Sequence, residues 1–179
     1  MKHVLIVGAR HVGKSTLIRK IVRELGCSVC GYETKKEDGL ADEGRGSPVY
    51  IYRAGQPHVQ TPENLLGYCK AQRPAVSAGA FDRAAHLLSE AETKADLILM
   101  DEIGFMESSS EVFCREILRC LDEDRPVLAA VKEKDTPFLR AVRSHPNCQC
   151  FYITEENRNA LPTEVLEFLR ERSVPLAQI

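Results

Sequence analysis

Apolar and polar positions alternate along the chain in two rhythms. Val4 to Val7 is an unbroken apolar run. After a glycine-rich stretch, Leu17, Ile18, Ile21, Val22 and Leu25 recur at intervals of one, three and four, with charged residues between them. The first pattern predicts a buried strand and the second a helix with one apolar stripe, which Gly26 ends. Val29 to Thr34 and Val49 to Arg53 read as strands flanking a charged, glycine-bearing tip over residues 35–47. Residues 54–79 hold three prolines and scattered glycines and predict loop, with a short helix over 62–70.

Helical spacing returns at Phe81, Ala84, Ala85, Leu87, Leu88 and Ala91, followed by the apolar run Leu97 to Met100. Ser108-x-x-Glu111 predicts a capping box for a helix carrying Val112, Phe113, Ile117, Leu118 and Leu121. Further on, the pattern predicts strand Val127 to Val131, helix Pro137 to Arg143, strand Gln149 to Ile153 and a last helix from Thr163 to Arg172. Strands apolar throughout, alternating with helices, indicate an α/β fold with a mostly parallel sheet covered on both faces.

The 179 residues fit one domain spanning 1–179, with a β-hairpin excursion over about 28–53. A formal net charge of −2 argues against a general nucleic-acid clamp. No apolar stretch is long enough to cross a bilayer, and the N-terminus has no leader pattern. Seven cysteines, an odd number, suit a reducing cytoplasm. Cys27-x2-Cys30 and Cys148-x-Cys150 sit among strand-like residues and read as small buried side chains rather than halves of a zinc site. The charged tip over residues 35–47 reads either as a flap over a ligand or as a surface for a protein partner, and no partner is identified by the sequence.

Gly8-Ala9-Arg10-His11-Val12-Gly13-Lys14-Ser15-Thr16 matches the Walker A pattern and lies between the first strand and the first helix, the context that pattern requires. Its glycines let backbone N–H groups curl around phosphate oxygens, and the helix N-terminus adds a positive dipole end. Lys14 is suited to the β- and γ-phosphates, and the Ser15 hydroxyl to Mg²⁺. The buried run Leu97 to Met100 ends in Asp101-Glu102, a Walker B arrangement. Asp101 is suited to hold Mg²⁺, and Glu102 to deprotonate an attacking water.

Asp101-Glu-Ile-Gly-Phe-Met-Glu107, together with Thr154-Glu-Glu-Asn-Arg-Asn159 and Gly31-Tyr-x-Thr34, resembles the thermostable nucleoside-triphosphatases of archaea and bacteria and their vertebrate cancer-related homologue. The resemblance runs from Val4 to about Leu169. It implies a RecA-like P-loop domain that hydrolyses ATP, GTP and related triphosphates slowly, with Mg²⁺ and broad base tolerance. Lys14, Ser15, Asp101 and Glu102 carry over. Arg10-His11 depart from the family's Pro-Gly, Phe105 from a frequent Lys or Pro, Lys35-Lys36 from Glu-Glu, and Lys132 from a Thr.

Asn157 and Arg158 follow the last strand and read either as nucleotide contacts or as the cap of the last helix. Arg143 reads as a cis arginine or a solvated one. Two other functions fit a P-loop domain of this size: a nucleotide-binding adaptor of the molybdopterin-guanine dinucleotide type, and a small-molecule kinase.

Overall fold

The computed structural model describes residues 2–71, 73–89, 94–104 and 107–171. In chain order the elements are β1 (His3–Gly8), α1 (Lys14–Leu25), β2 (Val29–Lys36), β3 (Ser47–Arg53), β4 (Leu65–Lys70), β5 (Arg73–Val76), α2 (Ala80–Ala84), α3 (His86–Ser89), β6 (Leu97–Ile103), α4 (Glu111–Asp122), β7 (Val127–Lys132), α5 (Pro137–Arg143), β8 (Cys148–Tyr152) and α6 (Leu161–Glu171). The strands form one mixed sheet in the order β5-β4-β3-β2-β6-β7-β1-β8. From β2 to β8 every neighbouring pair is parallel, and from β2 to β5 every pair is antiparallel.

Side-chain alternation on a buried strand explains the two layers of helices. On β1, Leu5 and Val7 point to a core shared with Phe81, Leu88, Phe113, Ile117, Leu121, Leu139 and Val142 of α2 to α5. Val4 and Ile6 point the other way, to Ile18 and Ile21 of α1 and Val165 and Leu169 of α6. The apolar stripes read from the sequence cover the sheet, except at Val112, which is exposed on α4. Among the described residues no helix is long and apolar enough to cross a membrane.

Three local expectations need correction. Within the region expected to be loop with a helix over 62–70, Leu65–Lys70 is strand β4 and Arg73–Val76 is strand β5, and β4 pairs with both β3 and β5. Gly67 lies within it at φ 154°, where a Cβ would stand 2.0 Å from the Ala75 carbonyl oxygen. Close strand approach outweighs the short run of apolar residues that resembled a helix turn. The helix expected from Phe81 divides at Ala85 into α2 and α3, and Ala91 lies outside the described residues. Finally, α4 is capped by Ser110, whose hydroxyl accepts the Phe113 N–H at 3.0 Å and itself donates to Asp82. Glu111 is therefore the first helical residue, not the third of a capping box begun at Ser108. At the other end of the chain, Arg172, expected to close the last helix, lies outside the described residues.

The seam between the parallel and antiparallel halves is β2. There Gly31, at φ 98°, lies opposite Leu99 of β6, and a Cβ on it would fall 2.2 Å from the Leu99 carbonyl oxygen. Gly31→Ala should therefore force β2 from β6 and destabilise the fold by more than about 2 kcal/mol. A urea melt checks this, and an unchanged midpoint would contradict it.

Candidate active site

The loop from Gly8 to Gly13 leaves β1 and turns into α1 through two left-handed residues. Gly13 has φ 113°, which glycine adopts without steric cost. His11 has φ 63°, a conformation unfavourable by about 1–2 kcal/mol for a residue with a Cβ. It occupies the position where the resemblance places a glycine. Val12 is turned inward and packs in the core beneath the loop.

Lys14 is 4% exposed, and its ammonium is held over the loop. Nζ donates to the carbonyl oxygens of Gly8 at 2.9 Å and Ala9 at 2.7 Å, and meets Glu102 Oε2 at 3.2 Å. Ser15 Oγ donates to Asp101 Oδ1 at 2.9 Å. The four residues singled out as phosphate, metal and water ligands thus converge. They line a cavity of about 340 Å³ with Arg10, His11, Gly13, Thr16 and Thr34.

Burial pushes the Asp101 carboxyl up to about 6, aided by nearby Glu102 and Glu33 and opposed by the Ser15 hydrogen bond. A buried carboxylate beside a hydroxyl oxygen is a pair of hard oxygen donors suited to a small divalent cation. Among the described residues no three His, Cys, Asp or Glu side chains form a metal-holding group. Any cation here would need further oxygens from a phosphate ligand or water.

A second cavity, about 480 Å³, adjoins the first and shares Arg10, Thr34 and Glu102 with it. Gly8 and Ala9 form part of its wall, with Val49, Cys69 and Pro74 from the antiparallel strands opposite. Thr34, Lys132 and Glu107 of its lining carried no assigned role in the sequence and make defined contacts here. Thr34 Oγ1 donates to the Asp101 carbonyl at 3.2 Å. Lys132 Nζ lies 3.0 Å from Glu102 Oε1. Glu107 is fully buried, and its Oε2 accepts the Gly104 N–H at 2.8 Å. Lys132 stands out only once the strand order is known, because that order puts the end of β7 between the loop and the acidic strand.

Asn157 and Arg158 line neither cavity. The Asn157 carboxamide is engaged in its own turn, with Oδ1 accepting the Thr154 N–H and Nδ2 donating to the Tyr152 carbonyl, both at 2.8 Å. Arg143 is mostly buried, and its guanidinium donates to the carbonyl oxygens of Lys132 at 3.4 Å and Lys134 at 2.9 Å. Lys35 and Lys36 pair with Glu37 and Asp38. Phe105 lies outside the described residues.

The sequence profile of a family described as NTPase matches residues 3–166. Nucleoside-triphosphatase THEP1 of Hyperthermus butylicus is 33% identical, with 94% of this chain and 91% of that protein covered. The protein of the same name from Thermotoga maritima is 29% identical over 93% and 95%. In fold, the chain is similar to the crystal structure of THEP1 from Aquifex aeolicus, with a TM-score of 0.68 at 23% identity, covering 93% of this chain and 98% of that one. The solution structure of a human cancer-related nucleoside triphosphatase gives the same score and identity over 96% and 98%.

Two features of the site have measurable consequences for stability. Burial pushes the Glu107 carboxyl up to about 7; the Gly104 N–H and the Lys132 charge oppose this, and Glu102 adds to it. Tyr32 and Cys114 also face this carboxyl. The folded protein keeps a proton that the unfolded chain has released above about 4.5. The stability this group contributes is therefore full below 4.5 and declines as pH rises towards 7. Glu107→Gln should raise the unfolding free energy from urea melts, relative to wild type, more at pH 8 than at pH 5, by roughly 2 kcal/mol; parallel pH curves would contradict this. His11→Gly should relieve the left-handed strain and stabilise the fold by about 0.5–1 kcal/mol, net of glycine's greater entropy loss. A thermal melt without ligand would register the change.

Proposed function

This chain belongs to the NTPase family, and from that premise we propose that it hydrolyses nucleoside triphosphates, ATP and GTP among them, to diphosphate and phosphate in the cytoplasm. One observation carries the site assignment: the carboxylates ending β6 meet the glycine loop, Asp101 at Ser15 and Glu102 at Lys14.

In this reading the backbone N–H groups from Ala9 to Thr16 and the Lys14 ammonium bind the β- and γ-phosphates. Ser15 and Asp101 would hold Mg²⁺, and the chemistry it supplies when bound is neutralisation of phosphate charge. Glu102 accepts a proton from water as the water oxygen bonds to the γ-phosphorus. The bond from that phosphorus to the bridging oxygen breaks, and its electron pair leaves with the diphosphate. Arg158 and the turn held by Asn157 lie beyond β8, next to the loop strand, and would meet the nucleoside. Tolerance of several bases is part of this reading.

A second reading, phosphoryl transfer to a small-molecule acceptor, is favoured by the cavity of about 480 Å³ beyond Glu102. Turnover without an acceptor separates the two.

Phosphate release from ATP, GTP, CTP and UTP with Mg²⁺ tests the proposal. Wild type should turn over several of them, and chelation of the metal should stop it. Glu102→Gln should keep binding within a few-fold while slowing hydrolysis by about 100-fold or more. Lys14→Ala should lose both. Should wild type bind nucleotide yet release phosphate no faster than Glu102→Gln, hydrolysis is not its reaction.

A further inference from the structure

We infer that Lys132 is a catalytic residue that leaves Glu102 for the γ-phosphoryl group, so that the third phosphate itself releases the carboxylate for attack on water. This rests on the hydrolysis reading above and adds a group which that reading does not use.

The first argument is position. Lys132 is the last residue of β7 and is paired in register with Gly8, where the phosphate loop begins. Its strand separates the loop strand from the one ending in Asp101 and Glu102. A phosphoryl group bound at Lys14 and approached by a water held at Glu102 must lie over the end of β7.

Orientation is the second. Lys132 is 22% exposed at its side chain and reaches into the site rather than out to solvent. Its stem crosses Gly104, where a Cβ would fall 3.0 Å from Lys132 Cδ, so the glycine leaves room for it. Arg143 holds the carbonyl oxygens of Lys132 and Lys134 and acts as a positioning residue for this strand end.

The third argument is charge. Glu102 Oε1 faces Lys132 at 3.0 Å and Oε2 faces Lys14 at 3.2 Å. The Lys132 ammonium occupies the side of Oε1 that faces the end of β7, so a water approaching Oε1 from over that strand competes with it for the carboxylate. A triphosphate supplies the competing negative charge. Lys14 turns to the β- and γ-phosphates, and Lys132 turns to a γ-oxygen, exposing Oε1. A diphosphate has no γ-oxygen and leaves Lys132 on Glu102. During transfer Lys132 keeps its proton, and its charge offsets the negative charge on the moving phosphoryl group, as an arginine supplied in cis does in other P-loop enzymes.

The test compares Lys132→Ala and Lys132→Arg with wild type in phosphate release and in binding of ADP and the β,γ-imido analogue of ATP. Lys132→Ala should lower kcat about 100-fold and weaken the imido analogue about 10-fold, while ADP affinity stays within about 2-fold. Lys132→Arg should recover most of both losses. Lys132→Met, which keeps the stem, takes the place of alanine if thermal melting shows the alanine variant unfolded. The inference is overturned if kcat stays within about 3-fold. It is equally overturned if kcat falls but the preference for triphosphate over diphosphate is unchanged, since Lys132 would then only brace Glu102. Should wild type release no phosphate at all, the hydrolysis reading fails, and the triphosphate-to-diphosphate affinity ratio still decides whether Lys132 meets the γ-phosphate.

Discussion

With β7 inserted between β1 and β6, the glycine loop and the acidic strand end are held two strand spacings apart, roughly 10 Å. That gap is wide enough for a phosphate group and narrow enough for long side chains to bridge. Lys14 bridges it from the loop to Glu102, and Ser15 reaches Asp101 from the first turn of α1. The parallel pairings of β1 with β7 and of β7 with β6 keep those strand ends level. Burial of all three strands on both faces prevents their register from slipping, because a shift of one residue would turn the paired sets Val4/Ile6 and Leu5/Val7 into each other's cores. Site geometry is in this sense a consequence of core packing.

The antiparallel half of the sheet extends the site rather than forming a separate structure. β2 belongs to both halves, with a parallel neighbour on one side and an antiparallel one on the other. Thr34, near its end, donates to the Asp101 backbone, while Val49, Cys69 and Pro74 on the next strands wall the larger cavity. Gly31 makes this sharing possible, since a side chain there would collide with the Leu99 carbonyl.

Legibility in the sequence followed the range of the interactions involved. Elements whose periodicity comes from one buried face, such as α1, α5, β6 and β7, were readable because each residue's partner face is fixed by its own spacing. The loop and the Asp101-Glu102 pair were readable as motifs because each is a short run at the end of one strand, and their convergence is what the structure adds. β4 was not, because its extended form depends on two partner strands and on the tight approach at Gly67. Lys132 showed in the sequence only as an unusual residue after a strand. Its meaning depends on strand order, which no local pattern encodes. The same holds for Arg143, whose partners are backbone carbonyls brought near by the turn from β7 into α5.

The partners of Lys14 also bear on how the proposed site would meet phosphate. Lys14 has three N–H donors and three acceptors within reach: the Gly8 and Ala9 carbonyls and Glu102. Its ammonium is therefore satisfied while buried, as a buried charge must be. In the proposed reading, phosphate oxygens would displace existing partners of Lys14 rather than fill an unmet demand. The net gain is the difference between a contact to a multiply charged phosphate and one to a single carboxylate or a carbonyl. That difference grows with the charge placed near the lysines. In that reading, a loop built in this way would favour ligands with more phosphate charge over those with less, before any contact to the base is made.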